Sequence, residues 1–192
     1  MSQKKKTLII VVSAPSGSGK TTIVSNVLNE MTNLVRSKSY TTRAPRALEV
    51  DGRDYIFVSK EDFETKIKEG EFLEYEENFG NCYGTSVIQI KEALSAGQDI
   101  ILSIDVKGAR RVKKAFPESI SVFIMPPSRE VLEERLKKRK TDEKKEVLLR
   151  LEEAEREIAA RDEYDYLIVN DDLTEAVNEL KNIIQAERKN NP

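Results

Sequence analysis

Ala14-Pro15-Ser16-Gly17-Ser18-Gly19-Lys20-Thr21-Thr22 begins one residue after the apolar run Leu8-Ile9-Ile10-Val11-Val12, and its residue types suit one task, holding a chain of phosphates. Small residues let the backbone curl until successive N–H groups converge on phosphate oxygens, and the positive end of a following helix adds to the field. Lys20 is placed to bridge terminal phosphates, and the Thr21 hydroxyl to hold magnesium. The usual pattern opens on glycine, whereas this one opens on Ala14, and a methyl group is tolerated there only if φ stays below zero. A plain Gly/Ser-rich turn is the competing account. Against it, strand, loop, Lys-Thr pair and the amphipathic continuation Ile23, Val24, Val27, Leu28 agree in order and spacing.

Composition narrows the remaining chemistry. The 192 residues can bury one substantial core. With 32 basic against 34 acidic residues, no global field draws the chain to nucleic acid or to a membrane. Histidine is absent, which excludes His-based triads and histidine metal sites and leaves the chemistry to Lys, Arg, Asp and Glu. The single cysteine, Cys82, cannot form an intrachain disulfide, reads as a small packing residue and fits a reducing compartment. The basic start Met1–Lys6 precedes an apolar run of only five residues, too short for a signal peptide or a span. A soluble, cytoplasmic protein is expected, and its oligomeric state is left open.

The elements that must position the loop alternate. Leu8–Val12, Ile100–Ile104, Ile120–Ile124 and Tyr166–Val169 read as buried parallel strands. Helical spacing follows at Ile23–Leu28, at Ala109–Ala115, at Val131, Leu132 and Leu136 after Pro126-Pro127-Ser128, and at Val177, Leu180 and Ile184. This predicts an α/β fold, a three-layer α/β/α arrangement with a parallel central sheet and ligands at the carboxyl ends of its strands. The core takes in about 7–36, 87–127 and 163–188, with tails at 1–6 and 189–192. Two stretches break the alternation. Residues 37–86, with β-like pieces at Tyr55–Val58 and Phe72–Tyr75, read as a small mixed-β insert that recognises a substrate. Residues 128–162, with Val147, Leu151, Ala154 and Ile158 on one face, read as a helical lid over the phosphate loop. Arg129 and Arg156 are read as its solvated surface.

Within this frame, Ser39-Tyr40-Thr41-Thr42-Arg43-Ala44-Pro45-Arg46, Glu49-Val50-Asp51-Gly52-Arg53-Asp54-Tyr55, Phe72-Leu73-Glu74-Tyr75 and Asn81-Cys82-Tyr83-Gly84-Thr85 together resemble guanylate kinase. Ile104-Asp105-Val106-Lys107-Gly108-Ala109 and Val169-Asn170-Asp171-Asp172 extend the resemblance from about Thr7 to Arg188. It implies the P-loop kinase fold and transfer of the γ-phosphoryl group of MgATP to GMP or dGMP, in purine nucleotide metabolism and GMP recycling. By resemblance, Arg43, Arg46, Tyr55 and Tyr83 bind the GMP phosphate. The residue types agree, since two guanidinium forks and two phenols suit a phosphate. Glu74 can accept guanine N1–H and the 2-amino group with its two oxygens, and the family uses the positions of Ser39 and Thr85 for O6. Outside that motif, Glu74 would read as an ordinary surface carboxylate. Asp105 is implied on bound nucleotide and, through water, on magnesium. Arg135 and Arg139 are implied on the triphosphate, Arg150 on the transferring phosphoryl group and the GMP site, and Asn170 on adenine. Departures from the family pattern fall at Ala14, Leu48, Ser103 and Lys140. Two rivals are a kinase for another monophosphate, opposed by Glu74, Ser39 and Thr85, and a non-catalytic protein-binding module, opposed by the intact Lys20-Thr21 pair and lid arginines.

Overall fold

The computed structural model describes residues 6–78, 80–137 and 144–190, with 144–147 described in backbone only. Strand β1 (Ile9–Ser13) is buried along its whole length, and the chain leaves it through the phosphate loop into α1 (Lys20–Glu30). Short β2 (Leu34–Arg36) leads into the insert, made of β3 (Tyr40–Thr41), β4 (Ile56–Phe57), α2 (Lys60–Lys68), β5 (Phe72–Asn78) and β6 (Asn81–Ser86). The core resumes with α3 (Val87–Ser95), β7 (Asp99–Ser103), α4 (Val106–Ala115) and β8 (Ile120–Met125). Helices α5 (Arg129–Lys137) and α6 (Lys144–Ile158) precede β9 (Tyr166–Val169) and the closing helix α7 (Leu173–Asn190).

Among the described residues, the central sheet has five strands in the order β2-β7-β1-β8-β9, all parallel. Alternation along β1 explains why Ile9–Val12 are apolar without a break. Ile10 and Val12 join Val24, Val27, Leu180 and Ile184 beneath α1 and α7, while Ile9 and Val11 join Ile90, Leu102 and Val112 beneath α3 and α4. A strand covered on both faces has no polar face to show.

The four strands read from sequence are β1, β7, β8 and β9. The fifth, β2, has three residues paired to β7 and is too short to carry a pattern of its own. The insert also holds a helix that apolar periodicity does not reveal. Helix α2 buries only Phe63 and is defined instead by Ser59, whose hydroxyl accepts the Asp62 N–H, with Glu61 and Asp62 in its first turn and Lys66 and Lys68 in its last. These are end signals, favourable to the helix dipole.

Candidate active site

The phosphate loop is shaped by two glycines with left-handed backbones, Gly17 at φ 92° and Gly19 at φ 89°. A side chain at Gly19 would collide with the Asn170 amide, and one at Gly17 would press on Leu132 and Leu136. Ala14 has no such backbone and its methyl lies in the core below the loop, so alanine is accepted where glycine is usual. Asn170 donates its Nδ2 to Ser18 O at 2.7 Å, and its own carbonyl accepts from Arg135 Nη2 at 3.2 Å. The loop is thus stapled from β9 and from α5.

Lys20 Nζ donates to Ile104 O at 2.8 Å, at the carboxyl end of β7. Enclosure of the ammonium pushes its pKa down, opposed by the carboxylates of Glu157, Asp105 and Glu74. Asp105 caps α4 by accepting the Gly108 N–H on Oδ1 at 2.7 Å.

The insert brings its own charges to the same place. Arg43 Nη2 donates to both oxygens of Glu49 at 2.9 Å, and the guanidinium lies 5.5 Å from the Tyr55 ring centre and 5.9 Å from that of Phe57. Glu49 also accepts the Arg46 N–H at 2.9 Å, so one carboxylate sets the geometry of both arginine positions. Glu74 is only 6 % exposed. Burial pushes its pKa up to about 7, against the Thr85 hydroxyl and with Asp105 adding to the rise. Thr85 donates to Glu74 Oε1.

One cleft of about 450 Å³ joins these groups. Its walls include Lys20, Thr21 and Thr22 from the loop and Ser39, Arg43, Arg46, Tyr55, Glu74 and Tyr83 from the insert. Asp105 and Arg150 complete it from the core and from α6. The phosphate loop and Glu74, some fifty positions apart in the sequence, share one space, an arrangement that suits transfer between two nucleotides. A sequence model of the guanylate kinase family matches residues 5–187. The chain belongs to the guanylate kinase family.

Its relatives agree along their lengths. A guanylate kinase of Carboxydothermus hydrogenoformans is 50% identical over 95% of this chain and 90% of its own. One of Wolbachia pipientis wMel is 47% identical over 98% and 94%. The crystal structure of guanylate kinase from Anaplasma phagocytophilum matches with a TM-score of 0.81 at 36% identity, covering 96% of this chain and 87% of that one.

Of the residues expected at a guanylate kinase site, Thr85, Arg135, Ser18 and Asn170 do not line the cleft. Thr85 and Asn170 act on their neighbours, Glu74 and Ser18. Arg139, and the departure at Lys140, lie outside the described residues. The departure at Leu48 costs no strain, because the residue has no left-handed backbone, is 88% exposed and offers its carbonyl to Arg53 at 2.9 Å. Ser103 lines the cleft beside Asp105.

Glu153 and Glu157 on α6, with Glu76, Asn78 and Asn81 on the insert, also line the cleft and were not expected there. Enclosure pushes the Glu157 pKa up to about 7, against the pull of Lys20 and with Glu153 and Asp105 adding to the rise. A signal existed, since Arg150, Glu153 and Glu157 recur at three- and four-residue steps and must share one face of α6.

Proposed function

We propose that the cleft holds MgATP on the phosphate loop and GMP on the insert and passes the γ-phosphoryl group directly between them. As a member of its family the chain is an ATP:GMP phosphotransferase, giving ADP and GDP. The observation that carries the residue assignments is the single cleft shared by Lys20, Thr21, Arg43, Tyr55, Glu74 and Tyr83.

The GMP phosphate is largely dianionic at neutral pH and is itself the nucleophile, so no covalent intermediate is needed. Protein residues align two anions and spread their charge. Arg43, Arg46, Tyr55 and Tyr83 hold the acceptor phosphate, and Glu74, oriented by the Thr85 hydroxyl, reads guanine together with Ser39. Lys20 and the loop N–H groups hold the donor phosphates, and Arg135, Arg139 and Arg150 close on them from the lid. The insert at 37–86 and the lid at 128–162 close as two units on the core, excluding the water that would otherwise take the phosphoryl group. Thr21 and Asp105, which both line the cleft, suit a magnesium ion, which keeps much of its water and takes few protein oxygens. Bound with ATP, that ion neutralises charge on the phosphates. A cytoplasmic setting fits the free thiol of Cys82. Among the described residues no helix is long and apolar enough to cross a membrane.

A coupled ADP-release assay with GMP, dGMP, IMP and AMP tests this assignment. The expected order is GMP, then dGMP, then IMP, with AMP far behind, since AMP sets an unprotonated N1 against Glu74. IMP lacks one charge-assisted hydrogen bond, a loss of about ten- to a hundredfold in kcat/KM. AMP phosphorylated as efficiently as GMP would overturn the role of Glu74.

A further inference from the structure

Gly108 sits in the first turn of α4 and is buried. Unlike Gly17 and Gly19, it has no left-handed backbone, so its conformation does not call for glycine. Within a helix glycine is the poorest choice after proline, and something other than local structure must account for it. A Cβ placed there would lie 2.9 Å from Glu74 Oε2, 3.1 Å from Glu74 Cδ and 3.3 Å from Asp105 Oδ1. The space left by the missing side chain is filled by the carboxylate assigned above to guanine.

That carboxylate has little freedom to retreat. Its other oxygen accepts from Thr85, which is fully buried and pairs with Glu74 across β5 and β6. A register shift in that ladder between Phe72 and Glu74 marks a bulge, a device that re-aims a side chain. Glu74 is therefore seated between a donor on β6 and the bare backbone of α4.

We propose that Gly108 is a positioning residue for base recognition, its missing side chain giving the Glu74 carboxylate the seat from which both oxygens meet the guanine edge. The inference rests on the assignment of Glu74 as guanine reader. A methyl group at residue 108 pushes Oε2 away from α4 and tilts the carboxylate about its bond to Thr85, so one of two parallel hydrogen bonds is lost. The three atoms nearest that methyl group belong to Glu74 and Asp105, none to the phosphate loop, and Asp105 stays on the Gly108 N–H.

The experiment is a double-mutant cycle of Gly108→Ala with Glu74→Asp, reading kcat/KM for GMP and IMP, KM for ATP, and melting temperature. Gly108→Ala is expected to keep its melting temperature and its ATP KM while GMP kcat/KM falls about ten- to a hundredfold. IMP, which offers one donor instead of two, should fall less, so the preference for GMP shrinks. In the Glu74→Asp background the shorter carboxylate has withdrawn from α4, and adding Gly108→Ala should change GMP kcat/KM by less than about threefold, a clear coupling between the pair. Equal losses for GMP and IMP, or the same factor in both backgrounds, would mark Gly108 as merely structural and overturn the inference. So would a Gly108→Ala protein that fails to fold and is not restored by Glu74→Asp. If Glu74→Asp alone leaves the GMP preference unchanged, the guanine-reader assignment fails, and the inference falls with it for that separate reason.

Discussion

The two ends of the central sheet both enclose charge, and they treat it in opposite ways. At the amino end, Asp99 is 4 % exposed and both of its oxygens are engaged. Oδ1 accepts the Leu8 N–H at 2.8 Å and Oδ2 accepts Arg188 Nε at 2.7 Å, while Arg188 Nη2 reaches Thr32 O at 2.9 Å. At the carboxyl end, Lys20, Glu74, Asp105 and Glu157 face one cleft, and enclosure drives the ammonium pKa down and the Glu74 and Glu157 carboxyls up. A charge buried to hold the fold together is closed off by partners. A charge kept for a ligand is held in a site where its ionised form is costly until the ligand arrives.

The sharpest way to break this comparison is to remove one charge from each end. Lys20→Met should cut turnover by at least about a thousandfold, the scale seen when a cationic clamp on a transferring phosphoryl group is lost. GMP affinity should hold, because the acceptor pocket is built from the insert, and the melting temperature should not fall, because an enclosed ammonium is removed. Turnover with calorimetric GMP titration decides it. A variant retaining a tenth of wild-type turnover would contradict the placement of Lys20.

Arg188→Leu should do the reverse. It strands Asp99 in an enclosed position, at a cost of about 3–5 kcal/mol, or a drop of roughly 10 °C in melting temperature for a chain of this size. Below the transition, kcat and both KM values should match wild type. Altered kinetics in the folded variant would mean that the amino end is not purely structural.

The two ends also differed in how far the sequence disclosed them. The loop at 14–22 was legible because a phosphate chain suits small residues and a Lys-Thr pair at close spacing, and the insert motifs were legible through their resemblance to guanylate kinase. The Asp99–Arg188 clamp was not, since its partners stand 89 positions apart and each alone is an ordinary surface residue. Glu157 was hidden for a related reason. Its helix was readable from Leu151, Ala154 and Ile158, but only packing of α6 over the loop shows that the face carrying Arg150 and Glu157 turns inward. Asn170 was expected on adenine, and its amide donates to Ser18 O, 152 positions away in the sequence.

A smaller effect sharpens the carboxyl end. Glu74 must be ionised to accept two donors from guanine, and its pKa in the free protein is raised to about 7 by burial. Free-enzyme ionisations govern kcat/KM, so GMP kcat/KM should rise about tenfold from pH 6 to pH 8 as the carboxyl loses its proton. Glu74→Gln should remove that limb except for the about twofold rise that GMP's own phosphate ionisation contributes, and narrow the preference for GMP over IMP. A wild-type profile level across this range, with the base preference intact, would mean that the pocket holds Glu74 ionised by other means.

The smallest effect concerns Glu157, whose carboxyl faces Lys20 and the Ser16 N–H as well as Glu153 and Asp105. Those first two groups are donors that a phosphate would also claim. Ionised Glu157 competes with ATP for them and repels it; protonated Glu157 does neither. With its pKa raised to about 7, the carboxyl is mostly neutral at pH 6 and mostly charged at pH 8, so its charge should weaken ATP binding as pH rises. Glu157→Gln removes the titration but keeps the shape. The variant should bind ATP about two- to fivefold more tightly than wild type at pH 8 and nearly equally at pH 6, a like-charge effect of under about 1 kcal/mol in a solvent-accessible site. Ionisation of ATP itself contributes the same slope to both proteins, so only the difference between the curves reports Glu157. Parallel curves would show that the carboxylate leaves the loop before ATP arrives, and the contrast between the two ends of the sheet would then rest on Lys20 and Glu74 alone.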